Sequence, residues 1–352
     1  MKARILLLSM AMISALLCSC NGKGLETVPP DPEPEVQENF FAKGADISWV
    51  TEMERNGYRF QSADGRDMEC TALMKSLGMN SIRLRVWVNP KDSWCNAADV
   101  LVKAKRASQQ GMKLMIDFHY SDSWADPGKQ NIPEAWKSMN TAALVSAVAD
   151  HTKEVLQLLK DNGIDVEWVQ VGNETDTGML WEAGRINNSN KGSDFIRMVN
   201  SGYDAVKAVY PEAKVILHHS NAHDLAANQW FFDFMKAGGA KYDMIGLSLY
   251  PSYWSGNAYP DWKPSTQQAV ANFSALHERY SKEVMLVEFG MPASQPEKAA
   301  EALTYIFDGV EGKDWFKGIF WWEPESENSR NQYDYGAFEN GKPTSALAPF
   351  KS

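Results

Sequence analysis

Two glutamates in this chain each close an apolar, strand-like run. Glu174 ends Val166-Glu167-Trp168-Val169-Gln170-Val171-Gly172-Asn173-Glu174, and Glu288 ends Val284-Met285-Leu286-Val287-Glu288. A charge at the end of an apolar run is poorly explained by packing, because an unpaired buried charge is costly. Taken alone, either residue would read as a helix N-terminal acid or an ion-pair partner. Taken together, more than a hundred residues apart in sequence, they become informative if their strand ends converge. Two carboxyls in one cleft are what cleavage of a glycosidic bond requires.

The elements that would position them follow from the alternation of strand-like and helix-like segments. Strands are expected at residues 41–49, 80–88, 113–120, 166–171, 214–218, 244–250, 284–289 and 317–322. Helices are expected between them at 66–77, 97–109, 141–160, 194–209, 230–236, 266–280 and 297–310, from apolar residues at helical spacing and from Gly, Asn-Gly or Pro at their ends. Eight alternations predict an α/β chain folded as a single (β/α)8 TIM barrel. The alternative, an open doubly wound sheet, should carry a Gly-rich turn after its first strand. Here Trp49-Val50-Thr51-Glu52 follows instead.

In a parallel barrel the strand C-terminal ends share one face, and polar residues there face the active site. That rule selects Asp46, Arg83, Arg85, His119, Asp122, Trp124, Asn173, Glu174, His218, Tyr250, Glu288, Trp321, Trp322 and Glu323. Arg83 and Arg85 are two apart and share a face. One of them would orient Glu288 and hold it ionised, and salt bridging at the barrel rim is the plainer reading. His119 and His218 read either as site residues or as satisfied histidines near the core. Trp322 reads as core or as a stacking platform for the apolar face of a sugar. Trp87, Trp124, Tyr253, Trp254 and Trp322 together favour a polysaccharide.

The N-terminus reads as an export signal. Met1-Lys2-Ala3-Arg4 is basic, and residues 5–17 are apolar but too short to span a bilayer. Leu17-Cys18-Ser19-Cys20 resembles a bacterial lipoprotein box, with Cys20 as the acylated residue. The expected organisation is a lipoprotein signal at 1–19, a Pro/Glu-rich tether at 20–38 and a barrel at 39–352. Acyl chains would hold the protein on a membrane surface, with the outer membrane and cell surface as the expected location. Ordinary secretion is the alternative. The net charge is −10, and removing Lys2 and Arg4 with the signal makes it −12. That excludes nucleic acid as a natural partner and suits a neutral substrate. Of four cysteines, Cys70 and Cys95 lie outside the signal. Export permits a disulfide between them.

At this point the residues resemble the arabinogalactan endo-β-1,4-galactanases of glycoside hydrolase family fifty-three, in clan A. The resemblance rests on Gly44-Ala45-Asp46-Ile47-Ser48, on Arg83-Leu84-Arg85-Val86-Trp87-Val88-Asn89-Pro90 and on His119-Tyr120-Ser121-Asp122-Ser123-Trp124-Ala125-Asp126-Pro127. Val171-Gly172-Asn173-Glu174, Tyr250-Pro251 and Phe320-Trp321-Trp322-Glu323-Pro324 complete it. It implies a retaining double displacement on β-1,4-galactan, with Glu174 as acid/base and Glu288 as nucleophile. It further implies that Asn173 binds the sugar 2-hydroxyl, that Tyr250 hydrogen-bonds the nucleophile, that Arg83 supports it, and that Trp322 stacks. Asp46, His119, Asp122, Trp124 and His218 complete the expected substrate-binding set. Residues 291–296, Met-Pro-Ala-Ser-Gln-Pro, offer no oxygen ligands comparable to the Asp/Asn-rich loop with which some bacterial members hold calcium. Neither metal nor cofactor is expected, and the chain is expected to work as a monomer. The rival readings are another clan A retaining glycanase, such as a mannanase or glucanase, and a non-catalytic surface glycan-binding protein.

Overall fold

The computed structural model describes residues 40–186, 192–251 and 261–351. The signal, the tether, Cys20, Tyr253 and Trp254 lie outside the described residues. Eight parallel strands close into a barrel in sequential order: β1 (Ala42–Asp46), β2 (Ser81–Val86), β3 (Lys113–Phe118), β4 (Trp168–Val171), β5 (Lys214–His219), β6 (Met244–Leu249), β7 (Glu283–Phe289) and β8 (Phe316–Trp322), which pairs back onto β1. The crossover helices are α2 (Cys70–Ser76), α3 (Ala97–Gln109), α4 (Thr141–Asp161), α5 (Ser193–Val209), α6 (Leu225–Ala237), α7 (Lys263–Tyr280) and α8 (Pro296–Val310). A short helix α1 (Val50–Arg55) precedes α2. The expected (β/α)8 barrel is the fold observed.

Local chemistry sets the boundaries. Asn96 and Asn140 cap α3 and α4 by accepting the N–H of Asp99 and Ala143, each at 2.9 Å. Asp224 caps α6 in the same way, so this helix starts five residues before the apolar pattern indicated. The first strand is shorter than expected. At its end Ser48 turns back, its N–H and hydroxyl donating to Asp46 Oδ1 at 3.0 and 2.5 Å. The chain then enters α1, which has no side-chain cap to announce it.

Two apolar clusters divide the core. One lies between sheet and helices. The other fills the lower barrel interior with Ala42, Met115, Trp168, Ile216, Met244, Met285, Val287 and Phe320, all nearly or fully buried. Gly44 is required beside Phe320, because a Cβ there would lie 2.2 Å from the ring. Further along the strands the inward positions turn polar: Asp46, Arg83, Asp117, Gln170, His218 and Ser248, all buried. β7 reaches the same layer through an irregularity. Leu247 pairs with Leu286, but Ser248 pairs with Glu288, so Val287 is skipped. This bulge lets the successive residues Val287 and Glu288 both face the interior.

Cys70 and Cys95 are buried free thiols, so the disulfide that export would permit is not formed. Cys70 packs within α2, whereas Cys95 faces the Ser48 carbonyl and the Lys103 ammonium.

Candidate active site

Arg83 organises the upper layer. Its Nε donates to Gln170 Oε1 at 2.7 Å and its Nη1 to Asp46 Oδ2 at 2.6 Å. Its Nη2 reaches Asp117 Oδ2 and Asn173 Oδ1, each at 2.9 Å, and Glu288 Oε1 at 2.8 Å. The guanidinium fork thus ties four strands to one carboxylate. The Tyr250 hydroxyl donates to the other Glu288 oxygen at 2.8 Å. Burial raises Glu288 to about 7, against the opposing pull of Arg83 and Tyr250. The Tyr250 hydroxyl is itself held well above its usual range, chiefly by burial and then by the Glu288 charge, and so remains a donor.

Glu174 sits in a different setting. It is half-buried and lines the same cleft as Glu288. Its backbone is left-handed, with φ of 43°, just after Gly172 at 91°. Such a conformation is uncommon for a residue with a Cβ and clusters at functional sites. His218 Nδ1 accepts the Glu174 N–H at 3.3 Å, and its Nε2 donates to Ser248 Oγ at 2.8 Å. The Ser248 hydroxyl in turn hydrogen-bonds the Glu174 carboxyl. Burial, aided by Arg83, holds His218 well below its usual range, so it stays neutral. Burial and then the Glu288 charge raise Glu174 well above the carboxylate range. The Ser248 hydrogen bond opposes that rise, and no cation among the described residues joins it. Glu174 is therefore the carboxyl that keeps its proton, and Glu288 is the one that loses it.

The cleft above this pair holds about 400 Å³. His119, Trp124, Asn173, Tyr250 and Trp322 line it together with both glutamates. His119 Nε2 lies 3.0 Å from Asp117 Oδ2, while its Nδ1 accepts from Trp87 Nε1 and the Ala125 N–H. Trp322 and Trp124 meet at 5.6 Å between ring centroids, and each also packs against Trp49. Behind these rings lies the fully buried Arg85. Its guanidinium is 4.3 Å from the Trp124 centroid and 5.2 Å from that of Trp49, and it pairs with Glu323.

Four residues expected to touch substrate do not line the cleft. Asp46, Arg83 and His218 are fully buried beneath it and are consumed by hydrogen bonds within the layer. Asp122 accepts the N–H of Asn89 and of Glu134, at 2.9 and 2.8 Å, and so staples the β2 and β3 loops together. Arg83 orients Glu288, whereas Arg85 does not reach it. Gln332, Tyr333, Asp334 and Tyr335 were not anticipated, yet they form one wall. They lie a dozen residues past β8, but the Tyr-x-Tyr pair following a barrel strand was a usable signal. Asp117 and Gln170 were also missed. Both occupy inward positions of otherwise apolar strands, a pattern visible in the alternation.

A profile of glycosyl hydrolase family 53 matches residues 42–305. A probable arabinogalactan endo-β-1,4-galactanase A of Neosartorya fischeri is 32% identical over 308 residues, covering 80% of this chain and 83% of the relative. A solved fungal β-1,4-galactanase superposes with a TM-score of 0.77 at 27% identity, covering 88% of this chain and 98% of the other. The family 53 catalytic domain of Ignisphaera aggregans gives 0.78 at 25% identity, covering 92% and 99%.

Proposed function

The chain belongs to glycosyl hydrolase family 53, and from that membership and the geometry of its site we infer how it works. It is an endo-β-1,4-galactanase that hydrolyses β-1,4-galactosidic bonds in galactan and type I arabinogalactan with retention of configuration. In our reading Glu174 protonates the glycosidic oxygen while Glu288 attacks the anomeric carbon. Water deprotonated by Glu174 then releases the sugar from Glu288. Once Glu288 carries the sugar its charge is gone, which removes one cause of the raised Glu174 ionisation and lets that carboxyl turn base.

The observation that carries this assignment is the unequal surroundings of the two carboxyls. Glu288 is held by Arg83 and Tyr250, whereas among the described residues the Glu174 carboxyl is met by the Ser248 hydroxyl and by no cation. Asn173, fixed through its Oδ1 by Arg83 and its Nδ2 by the Ala125 carbonyl, stands beside the reacting centre and serves the 2-hydroxyl. Trp322 and Trp124 offer apolar faces for sugar C–H groups.

Digestion of β-1,4-galactan tests the reading. The purified barrel should release mixed oligosaccharides early, with the new reducing ends initially in the β configuration by NMR. Initial α anomers would overturn retention. Cleavage of mannan or glucan but not galactan would overturn the substrate. Azide supplies the assignment of roles. It should rescue Glu174→Ala on an aryl β-galactobioside to give the β-azide, and Glu288→Ala to give the α-azide.

We further propose that the protein works as a monomer, since both carboxyls and their partners come from one chain. We also propose that it is anchored by lipid at Cys20, at the outer membrane and cell surface. The apolar run ending in Leu17-Cys18-Ser19-Cys20 supports this, and a polymer substrate favours an outward-facing enzyme. Cys20→Ala should abolish palmitate labelling in cells while Cys18→Ala preserves it.

A further inference from the structure

Arg83 and Arg85 stand two apart on β2, and Arg83 is the one that reaches Glu288. Arg85 is just as buried but turns to a different set of partners. Four indoles enclose its guanidinium. The ring centroids of Trp124, Trp49, Trp87 and Trp322 lie 4.3, 5.2, 5.3 and 6.0 Å from the guanidinium carbon. These rings come from the ends of, or the loops after, β3, β1, β2 and β8, which are neighbours in the barrel. They also meet one another edge to face. Trp87 packs on Trp124 at 5.1 Å, Trp49 on Trp322 at 5.3 Å, and Trp49 on Trp124 at 5.5 Å. Of the four, Trp124 and Trp322 line the catalytic cleft.

The polar partners of Arg85 fix its place. Nη1 pairs with Glu323, whose Oε2 accepts the Trp49 N–H at 3.1 Å. Glu325 hydrogen-bonds Glu323, and burial and then the Glu323 charge keep Glu325 protonated. Glu323 therefore supplies the charge that is paired with the guanidinium. Arg85 Nε and Nη2 meet no hydrogen-bond acceptor among the described residues. Buried donors of that kind call for an explanation, and aromatic faces are what surround these. So deep an ion pair is no sign of extra stability over apolar packing. An aliphatic side chain would fill the space, but it has no flat face against which rings can be set.

We propose that Arg85 is a positioning residue for substrate affinity: held by Glu323, its flat guanidinium sets the planes of Trp124 and Trp322, and through them the stacking of sugar rings in the cleft. It acts through the indoles, since it is fully buried behind them. The two arginines of β2 thus divide the work. Arg83 holds the nucleophile and governs kcat, whereas Arg85 holds the aromatic wall and governs binding. The assignment rests on the reading of the cleft as the galactan site.

The test uses Arg85→Lys and the charge-neutral double variant Arg85→Met/Glu323→Gln. Lysine keeps the ion pair with Glu323 but has no planar face. The double variant removes both charges together, so that neither is left buried alone, and the new amide oxygen can still accept the Trp49 N–H. Both variants should raise KM on galactohexaose about 5- to 30-fold and keep kcat within about threefold. Titration of galactohexaose into the same variants carrying Glu288→Gln should show an equal rise in Kd, free of turnover. Near-UV circular dichroism of the unliganded protein should change, because it reports the packing of the indoles. Wild-type KM in Arg85→Lys would overturn the proposal, since charge pairing alone would then suffice. So would lowered stability in urea with unchanged KM and Kd, or a fall in kcat at unchanged KM. Arg85→Lys decides the matter if the double variant does not fold. A wild type that cuts no galactan would overturn the galactanase reading and this proposal with it. A wild type that cuts galactan while the variants bind as tightly would overturn the role of Arg85 alone.

Discussion

The barrel interior has two layers built on successive inward positions of its strands, with opposite chemistry. In the lower layer Ala42, Met115, Trp168, Ile216, Met244, Met285 and Phe320 are apolar side chains, with the Trp168 indole N–H as their one polar group. Further along the strands, Asp46, Asp117, Gln170, His218 and Ser248 surround Arg83 and Glu288. The lower layer supplies burial free energy and fixes the strands. The upper layer spends part of that stability. Charges taken from water are only partly compensated by pairing, and two carboxyls are left with raised ionisation. The difference teaches that the apolar plug is the rigid base on which a costly polar constellation can be held in place.

The sharpest contrast pairs one substitution from each layer. Glu288→Gln keeps volume and should leave the melting temperature nearly unchanged while lowering kcat by more than about 10⁴-fold. Phe320→Ala should cost about 3–5 kcal/mol of stability, read by urea unfolding, while the folded fraction keeps kcat within a few-fold. If Phe320→Ala removed activity at full stability, the division of labour between the layers would fail.

Arg83→Lys probes the centre of the upper layer. Lysine keeps the charge but cannot span Gln170, Asp46, Asp117, Asn173 and Glu288 together. We expect about a 100-fold loss in kcat. The acid limb of the pH–rate profile should move to higher pH, because Arg83 opposes the upward shift of Glu288. An acid limb that stayed in place, or moved down, would deny Arg83 that role.

Glu325 tests the cost of the upper layer. It is fully buried beside Glu323, and burial and then the Glu323 charge raise it well above the carboxylate range. The folded protein therefore keeps a proton there that the unfolded chain releases above its ordinary value near 4.5. Folded protein binds more protons than unfolded, so stability falls as pH rises from that value toward the folded one, by about 1.4 kcal/mol per pH unit. Glu325→Gln should flatten the slope in denaturation series between pH 5 and 7. An unchanged slope would mean that Glu325 is ionised in the fold.

The smallest effect is expected at Asp122. Asp122→Ala frees the N–H groups of Asn89 and Glu134, costing about 1–2 kcal/mol of stability. KM should change by no more than about threefold. A larger change in KM would restore the substrate-binding role first expected of this residue.

The fold was legible because strand and helix periods alternate cleanly. α3 was expected at 97–109 and is found there, since Asn96 and Gly111 mark its ends. α1 was not legible, as six residues without a side-chain cap carry too little pattern. Positions at the strand ends were legible from the barrel rule, but depth was not. Asp46, Arg83 and His218 read like cleft residues and lie beneath it, because which polar groups satisfy one another is a three-dimensional matter. Sequence also hid the β7 bulge that turns Glu288 inward beside Val287. The wall at Gln332–Tyr335 comes from a segment far past the last strand.

The central claim is that Glu288 attacks and Glu174 shuttles the proton. The most direct measurement is trapping with an activated 2-deoxy-2-fluoro-β-galactobioside, followed by proteolysis and mass spectrometry. The account predicts one adduct per chain, on the peptide carrying Val287-Glu288-Phe289. An adduct on the peptide carrying Asn173-Glu174, or turnover without any adduct and with inverted product, would contradict it.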